Sequence, residues 1–115
     1  MPRIHRLKSE RDFARLAKSR KTGYAKSVGV KVRENHLPYS RFGVVVGLKV
    51  SKKAVERNLL KRRMREIMKK HLLKVSAGYD IMVLIQKSAL GQDFDALESD
   101  FLKAIAKAGL MAKIA

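Results

Sequence analysis

The sequence predicts an α+β fold, a two-layer sandwich in which helices cover a small mixed sheet. Three observations carry this. Val28, Val30 and Val32 alternate with Gly29, Lys31 and Arg33, the period-two pattern of a strand with one buried face. Residues 79–86 are apolar almost throughout, as in a central strand covered on both faces. Elsewhere apolar residues recur three and four positions apart, the spacing of helices that press one stripe onto a core. The predicted order is α-β-β-(β)-α-β-α, with one early strand optional.

In chain order, Ser9 followed three residues later by Asp12 resembles a capping arrangement. Phe13, Leu16 and Ala17 then recur at helical spacing, so a first helix is predicted over 9–19, ended by Arg20–Gly23. The valine strand follows. Asn35, Pro38 and Ser40 mark a polar connection over 34–41, and 42–47 reads as the next strand. After a short link, a long basic helix runs over 52–73 with Ser51 available as its N-cap. The strand at 79–86 comes next. Asp93 can cap a last helix whose stripe is Phe94, Leu97, Phe101 and Ile105, with Gly109 near its end. There is no internal repeat. The pattern leaves strand connectivity open, and a right-handed crossover through the long helix is the usual expectation.

A chain of 115 residues has room for one modest core, so 1–115 is read as a single domain. The absence of cysteine removes disulfides and thiolate metal sites, and His5, His36 and His71 are too scattered to suggest a ligand cluster. No apolar run approaches the roughly 20 residues that span a bilayer. The opening Met-Pro-Arg-Ile-His-Arg lacks the apolar stretch of a secretory signal, and a cytoplasmic location is expected.

Charge is the strongest signal. Lys and Arg number 27 against 10 Asp and Glu, a net +17, a field that repels itself unless a polyanion neutralises it. Residues 1–74 hold 23 basic and 5 acidic side chains, whereas 75–115 hold 4 and 5; the cation lies in the first two thirds. The basic residues punctuate elements that have separate core faces, and there are four Phe, three Tyr and no Trp. That combination favours nucleic acid over a membrane surface. A DNA-binding regulator fits poorly, because the basic face follows one long helix without a short helix–turn–helix reader. A ribosomal or other structural RNA-binding protein has the same size and charge and remains the alternative.

Plotted at about 100° per residue, the long helix places Leu60, Met64, Ile67, Met68 and His71 on one side, the core-facing stripe. A neighbouring arc carries Asn58, Lys61, Arg62, Arg65 and Lys69 at spacings of three and four, so they form one surface. Arg57 lies at the edge between the two, where its stem can pack and its head can reach out. A helix face stabilised for its own sake would alternate Glu with Lys; this helix has only Glu56 and Glu66. Arginine's planar fork grips phosphate oxygens, and contacts to phosphate and sugar suit recognition of a folded RNA by shape.

The run Lys53-Ala-Val-Glu-Arg-Asn-Leu-Leu-Lys-Arg-Arg-Met-Arg-Glu66 resembles the signature of the protein subunit of bacterial ribonuclease P, R-N-x-x-K-R-x-x-R-E. Arg57, Asn58, Lys61, Arg62, Arg65 and Glu66 match it position by position. Arg6-Leu7-Lys8, Asp12-Phe13, Arg41-Phe-Gly-Val44 and Tyr79-Asp80 resemble the family elsewhere. The chain departs from the family pattern at Leu48 and Leu59, where basic residues are common, and at Ala17, where a second aromatic is common.

The resemblance implies the family's fold, with a left-handed strand–helix–strand crossover. It implies that Lys52, Lys53, Arg57, Asn58, Lys61, Arg62, Arg65 and Lys69 contact the catalytic RNA. A cleft between the first helix and the sheet would receive the 5′ leader of precursor tRNA, with Phe13, Lys31 and Arg33 at the matching positions. The activity implied is removal of that leader, one protein serving one RNA, with RNA-held magnesium ions cutting the phosphodiester. The residues themselves offer no histidine pair, no cysteine nucleophile and no carboxylate cluster placed for two metals. Asp93, Asp95, Glu98 and Asp100 sit at a helix start, where they favour the macrodipole.

Overall fold

A computed structural model describes residues 5–7 and 9–111; residues 1–4, 8 and 112–115 lie outside the described residues, and with them Lys8 and most of the N-terminal peptide. The elements are β1 (His5–Arg6), α1 (Glu10–Ala17), β2 (Lys21–Tyr24), β3 (Val28–Glu34), β4 (Arg41–Val45), α2 (Ala54–Lys70), β5 (Tyr79–Ile85) and α3 (Phe94–Lys107). Single 3-10 turns follow α2 and β5 at Leu72–Lys74 and Lys87–Ala89. The five strands run in the order β1-β4-β5-β3-β2. Pairing is parallel from β1 through β4 to β5 and antiparallel from β5 through β3 to β2, so the sheet is mixed, and β4–α2–β5 is a crossover between adjacent parallel strands.

The period-two valines meet their expectation. Val28, Val30 and Val32 join Ile81, Val83 and Ile85 on one face of the sheet, buried against Leu60, Met64, Ile67 and Met68 of α2 and Leu97, Phe101, Ala104 and Ile105 of α3. Each fully buried side chain of this size contributes about 1.5–3 kcal/mol. α1 crosses the opposite face, where Leu16, Leu7 and Met82 form a second cluster with Phe13 and Leu84 at its margin.

Three local readings change. Residues 21–24, read as the end of the first helix, form the edge strand β2. Lys-Thr-Gly-Tyr has no apolar alternation because Gly23 carries its buried position: a Cβ there would stand 2.2 Å from the Ala104 carbonyl oxygen, so only glycine lets β2 lie directly beneath α3. The two-residue β1 is too short to leave a pattern. α2 is shorter at both ends than 52–73, and its N-cap is Lys53, which makes no side-chain cap bond. Ser51 instead accepts from the Lys53 amide at 3.1 Å and donates to Glu56 at 2.6 Å, bracing the first turn from two residues upstream.

α3 begins as expected, with the Asp93 carboxylate accepting from the Ala96 amide at 2.9 Å, and Gly109 just past its end has a φ of +76°, the left-handed conformation that closes many helices. The acids after Asp93 do more than favour the helix dipole. Asp100 is buried and accepts from both the backbone amide and the hydroxyl of Ser27, which fastens α3 to the β2–β3 turn. Glu98 pairs with Lys70 and His71, which fastens α3 to the end of α2.

Candidate RNA-binding surface

The basic residues of α2 divide into two groups with different partners. On the flank facing α3, Arg63 donates to the Gln92 carbonyl at 3.3 Å and Lys70 pairs with Glu98 at 2.9 Å, so these cations hold the fold. The other flank is the arc predicted from the helical plot. Asn58, Arg62 and Lys69 are exposed there, and Lys61 and Arg65 are half-buried. Among the described residues, none of Lys52, Lys53, Lys61, Arg62, Arg65 and Lys69 is in an ion pair.

Lys52 and Lys53 add exposed charge at the start of α2, the end of a helix that disfavours cations. Their placement therefore weakens the isolated fold and suits an external polyanion. Arg57, at the edge of the arc, turns its guanidinium back to the Ser51 carbonyl at 2.9 Å. It supports the start of the helix with one nitrogen and leaves the rest of its fork for another acceptor.

On the other face of the sheet, the strand register sets out three rows. Arg41, Asp80 and Arg33 stand side by side in the first; Gly43, Met82, Lys31 and Thr22 in the second; Val45, Leu84, Gly29 and Tyr24 in the third. α1 covers the second row. The Phe13 ring reaches within 2.7 Å of where a Cβ on Gly43 would stand, Leu16 packs with Met82, and the Ala17 carbonyl accepts from Lys31 Nζ at 2.9 Å.

The structure therefore separates Phe13, Lys31 and Arg33. Phe13 is half-buried over Gly43 of the second row, at the β4 end of α1. Lys31 neutralises the C-terminal end of α1. Arg33 stands in the first row, on the far side of that helix. The third row holds a residue that the sequence pattern did not single out: Tyr24 is 45% exposed, with its ring lying over Gly29. The signal for it was the pairing of an aromatic with a glycine across an antiparallel turn, which becomes legible only once β2 is known to be a strand. With Leu84 half-buried and Val45 exposed beside it, Tyr24 gives this open end of the sheet an apolar, stackable surface.

The first row borders a polar cavity of about 290 Å³. Arg41 there pairs with Asp80 and, at 3.6 Å, with Asp12 of α1. The hydrogen bonds to Asp80 hold the Arg41 guanidinium above its ordinary pKa. Among the described residues, no group of three or more His, Asp and Glu side chains is placed to hold a metal ion, and no helix is long and apolar enough to cross a membrane.

Comparison with known proteins gives one answer. The family model Ribonuclease P matches residues 1–109. The ribonuclease P protein component of Microcystis aeruginosa is 30% identical, covering 96% of both chains. That of Thermotoga maritima is 38% identical over 84% of this chain and 80% of its own length. Among solved structures, the Thermotoga maritima RNase P protein in complex with 1-(4-fluorophenyl)-2-thiourea superposes with a TM-score of 0.78, at 36% identity, covering 84% of this chain and 94% of that one. A Staphylococcus aureus RNase P protein mutant with defective mRNA degradation activity superposes with a TM-score of 0.85 at 25% identity, covering 93% and 90%.

Proposed function

This chain belongs to the ribonuclease P protein family, and from that we propose that it binds the catalytic RNA through the α2 arc and the 5′ leader of precursor tRNA on the α1 face of the sheet. The observation that carries the reading is the division of α2: the cations facing α3 are paired within the protein, whereas the arc from Asn58 to Lys69 has no internal ion pair among the described residues. Unpaired like charge along one helix costs stability and is offset when a polyanion binds. Lys52, Lys53, Arg57, Asn58, Lys61, Arg62, Arg65 and Lys69 would contact phosphate and sugar of a folded RNA without reading its sequence. Phe13, Lys31 and Arg33, joined by Tyr24, would receive the single-stranded leader, with bases stacking on the aromatics.

In this reading the protein works in the cytoplasm, one copy per RNA, and does not perform the cut. Magnesium in the holoenzyme would supply Lewis-acid and nucleophile-activating chemistry, held by RNA. The described residues do not fit a protein-held magnesium site, and no step is assigned to one. What this chain supplies is neutralisation of RNA phosphates and a hold on the leader, which raises precursor affinity and lowers the magnesium demand. Reconstitution tests it: at limiting magnesium, adding the protein to ribonuclease P RNA should raise the rate of precursor tRNA cleavage, and an unchanged rate would defeat the proposal.

A further inference from the structure

A groove of about 420 Å³ separates the first half of α2 from the link between β5 and α3. Its floor is Leu60 and Ala89, both buried, and its walls are Leu59 and Leu90, both exposed. Val55, one turn before Leu59, is exposed as well, so the apolar strip continues onto the helix surface. Side chains of this size clustered in water on a chain of net charge +17 mark a contact surface.

The groove offers acceptors. Gln92 lines it, and the Gln92 side-chain Oε1 is buried with no hydrogen-bond partner among the described residues, a state that costs stability until a donor arrives. Glu56 and Asp93 are exposed on the lining. One accepts from the Ser51 hydroxyl at 2.6 Å and the other from the Ala96 amide at 2.9 Å, and each carboxylate has acceptor capacity left. Arg63, the cation of the lining, is turned to the Gln92 carbonyl at 3.3 Å.

Outside the groove the charge reverses. Lys52, Lys53 and Arg62 are exposed and in no ion pair among the described residues, and Arg62 follows Leu59 by three residues, one turn along the same helix. These two layers select the occupant. A basic peptide would suit the acids but be repelled by the surrounding cations, whereas an acidic peptide or a phosphate inside would meet Glu56 and Asp93. A nucleotide whose base is turned out of its stack satisfies both layers. Its phosphates suit Lys52, Lys53 and Arg62, and a neutral, flat base fits between Leu59 and Leu90 with its N–H groups on Gln92 and the carboxylates. The volume lies within the roughly 300–1,000 Å³ usual for small-ligand sites, enough for one base and its ribose.

We infer that the groove between Leu59 and Leu90 receives one unstacked, amine-bearing base of the RNA that α2 grips, and that Gln92 accepts a hydrogen bond from it. The inference rests on the RNA-binding reading above and adds base recognition to a surface otherwise limited to phosphate and sugar. Leu59, a position where this chain departs from the family pattern, supplies one wall.

The test uses holoenzyme reconstituted from ribonuclease P RNA with the native chain, Leu59→Ala/Leu90→Ala or Gln92→Leu. Dimethyl sulfate and kethoxal report the pairing edges of A, C and G, and hydroxyl radicals report the RNA backbone. One unpaired base should be protected by the native chain and become reactive with either variant, while protection of the backbone persists. Both variants should bind the RNA about five- to tenfold more weakly, the scale of one hydrogen bond with its apolar contacts. Their log–log salt slope should match the native one, because no phosphate contact is lost. Gln92→Leu removes an unpartnered buried acceptor, so its melting temperature should equal or exceed the native value while its affinity falls; a damaged fold would lower both.

Unchanged RNA affinity in both variants, as a protein occupant of the groove would give, overturns the inference. So does an affinity loss that comes with a shallower salt slope. A backbone footprint without a base that responds to the substitutions defeats this inference alone. If the native chain leaves no backbone footprint at all, it is the RNA-binding reading that has failed, and this inference with it.

Discussion

Arg41 grips Asp80 with two parallel hydrogen bonds, Nε to Oδ1 at 2.7 Å and Nη2 to Oδ2 at 2.6 Å, across the register pair that joins β4 to β5. The carboxylate is buried and also accepts from Asn35. This pair ties the parallel strands at their N-terminal ends, where the crossover through α2 enters β5, and it orders the turn that carries His36. Removing the arginine leaves a buried charge without its counter-ion, which costs about 3–5 kcal/mol when burial is complete. Because the Arg41 side chain is partly exposed, water can reach the carboxylate left behind, and Arg41→Ala should lower unfolding stability by about 2–3 kcal/mol, at or below the foot of that range. Urea denaturation of the two proteins measures it.

Gly23 gives a sharper packing prediction. A Cβ there would collide with the backbone of Ala104 and Ala108, which cannot move aside like the end of a flexible side chain. Gly23→Ala should destabilise by about 1–3 kcal/mol or more, the usual cost of overpacking, and loosen β2 from α3. Amide exchange in β2 should rise with it.

Glu98 carries a pH dependence of definite sign. Its hydrogen bond with Lys70, and next that with His71, hold its pKa below the ordinary 4.5. The folded state therefore binds this proton less readily than the unfolded state, so the stabilisation is present above the unfolded pKa and is lost as pH falls through the folded one. Glu98→Gln should be less stable than the native chain at neutral pH, and the difference should shrink as pH falls below about 4.5. Denaturant midpoints stepped through the acid range would show the two curves converging; parallel curves would remove Glu98 from acid unfolding.

Tyr24 and Phe13 should separate binding from stability. Tyr24 is exposed and packs mainly over Gly29, so Tyr24→Ala should weaken leader binding by about 1–3 kcal/mol, the scale of one stacked base, while thermal stability stays nearly unchanged. Phe13 lies against Gly43 and the Leu7–Leu16 cluster, so Phe13→Ala should also lower stability. Leader affinity by fluorescence anisotropy, measured beside melting temperature, distinguishes the two.

What was legible in the sequence was whatever periodicity encodes. Val28, Val30 and Val32, the Leu60–Met64–Ile67–Met68 stripe and the Phe94–Ile105 stripe all pack as their spacing indicates, because burying one apolar face provides most of the drive to form each element. β2 was missed because its inward position is a glycine, whose role is set by the α3 backbone it must admit. Ser51 looked like a cap by residue type, yet the helix begins at Ala54, and no local pattern reveals that its hydroxyl reaches Glu56. The α2 arc could be read as a surface, but its division from Arg63 and Lys70 depends on Gln92 and Glu98, about 29 residues away in the chain. Likewise Phe13, Lys31 and Arg33 read as one group, and only the strand register shows Phe13 over Gly43 of β4, Lys31 at the C-terminal end of α1 on β3, and Arg33 in a different row.

That division of α2 is the central claim, and a paired binding measurement tests it most directly. Affinity for ribonuclease P RNA would be compared with that for a generic structured RNA at matched salt, using Arg57→Ala/Arg65→Ala as the arc variant and Arg63→Ala/Lys70→Ala as the control on the flank facing α3. The expected result is a loss for the arc variant that is much larger on ribonuclease P RNA than on the generic RNA, with the control variant close to the native protein once folding is accounted for. Equal losses for the two variants, or an arc variant that weakens both RNAs alike, would contradict it.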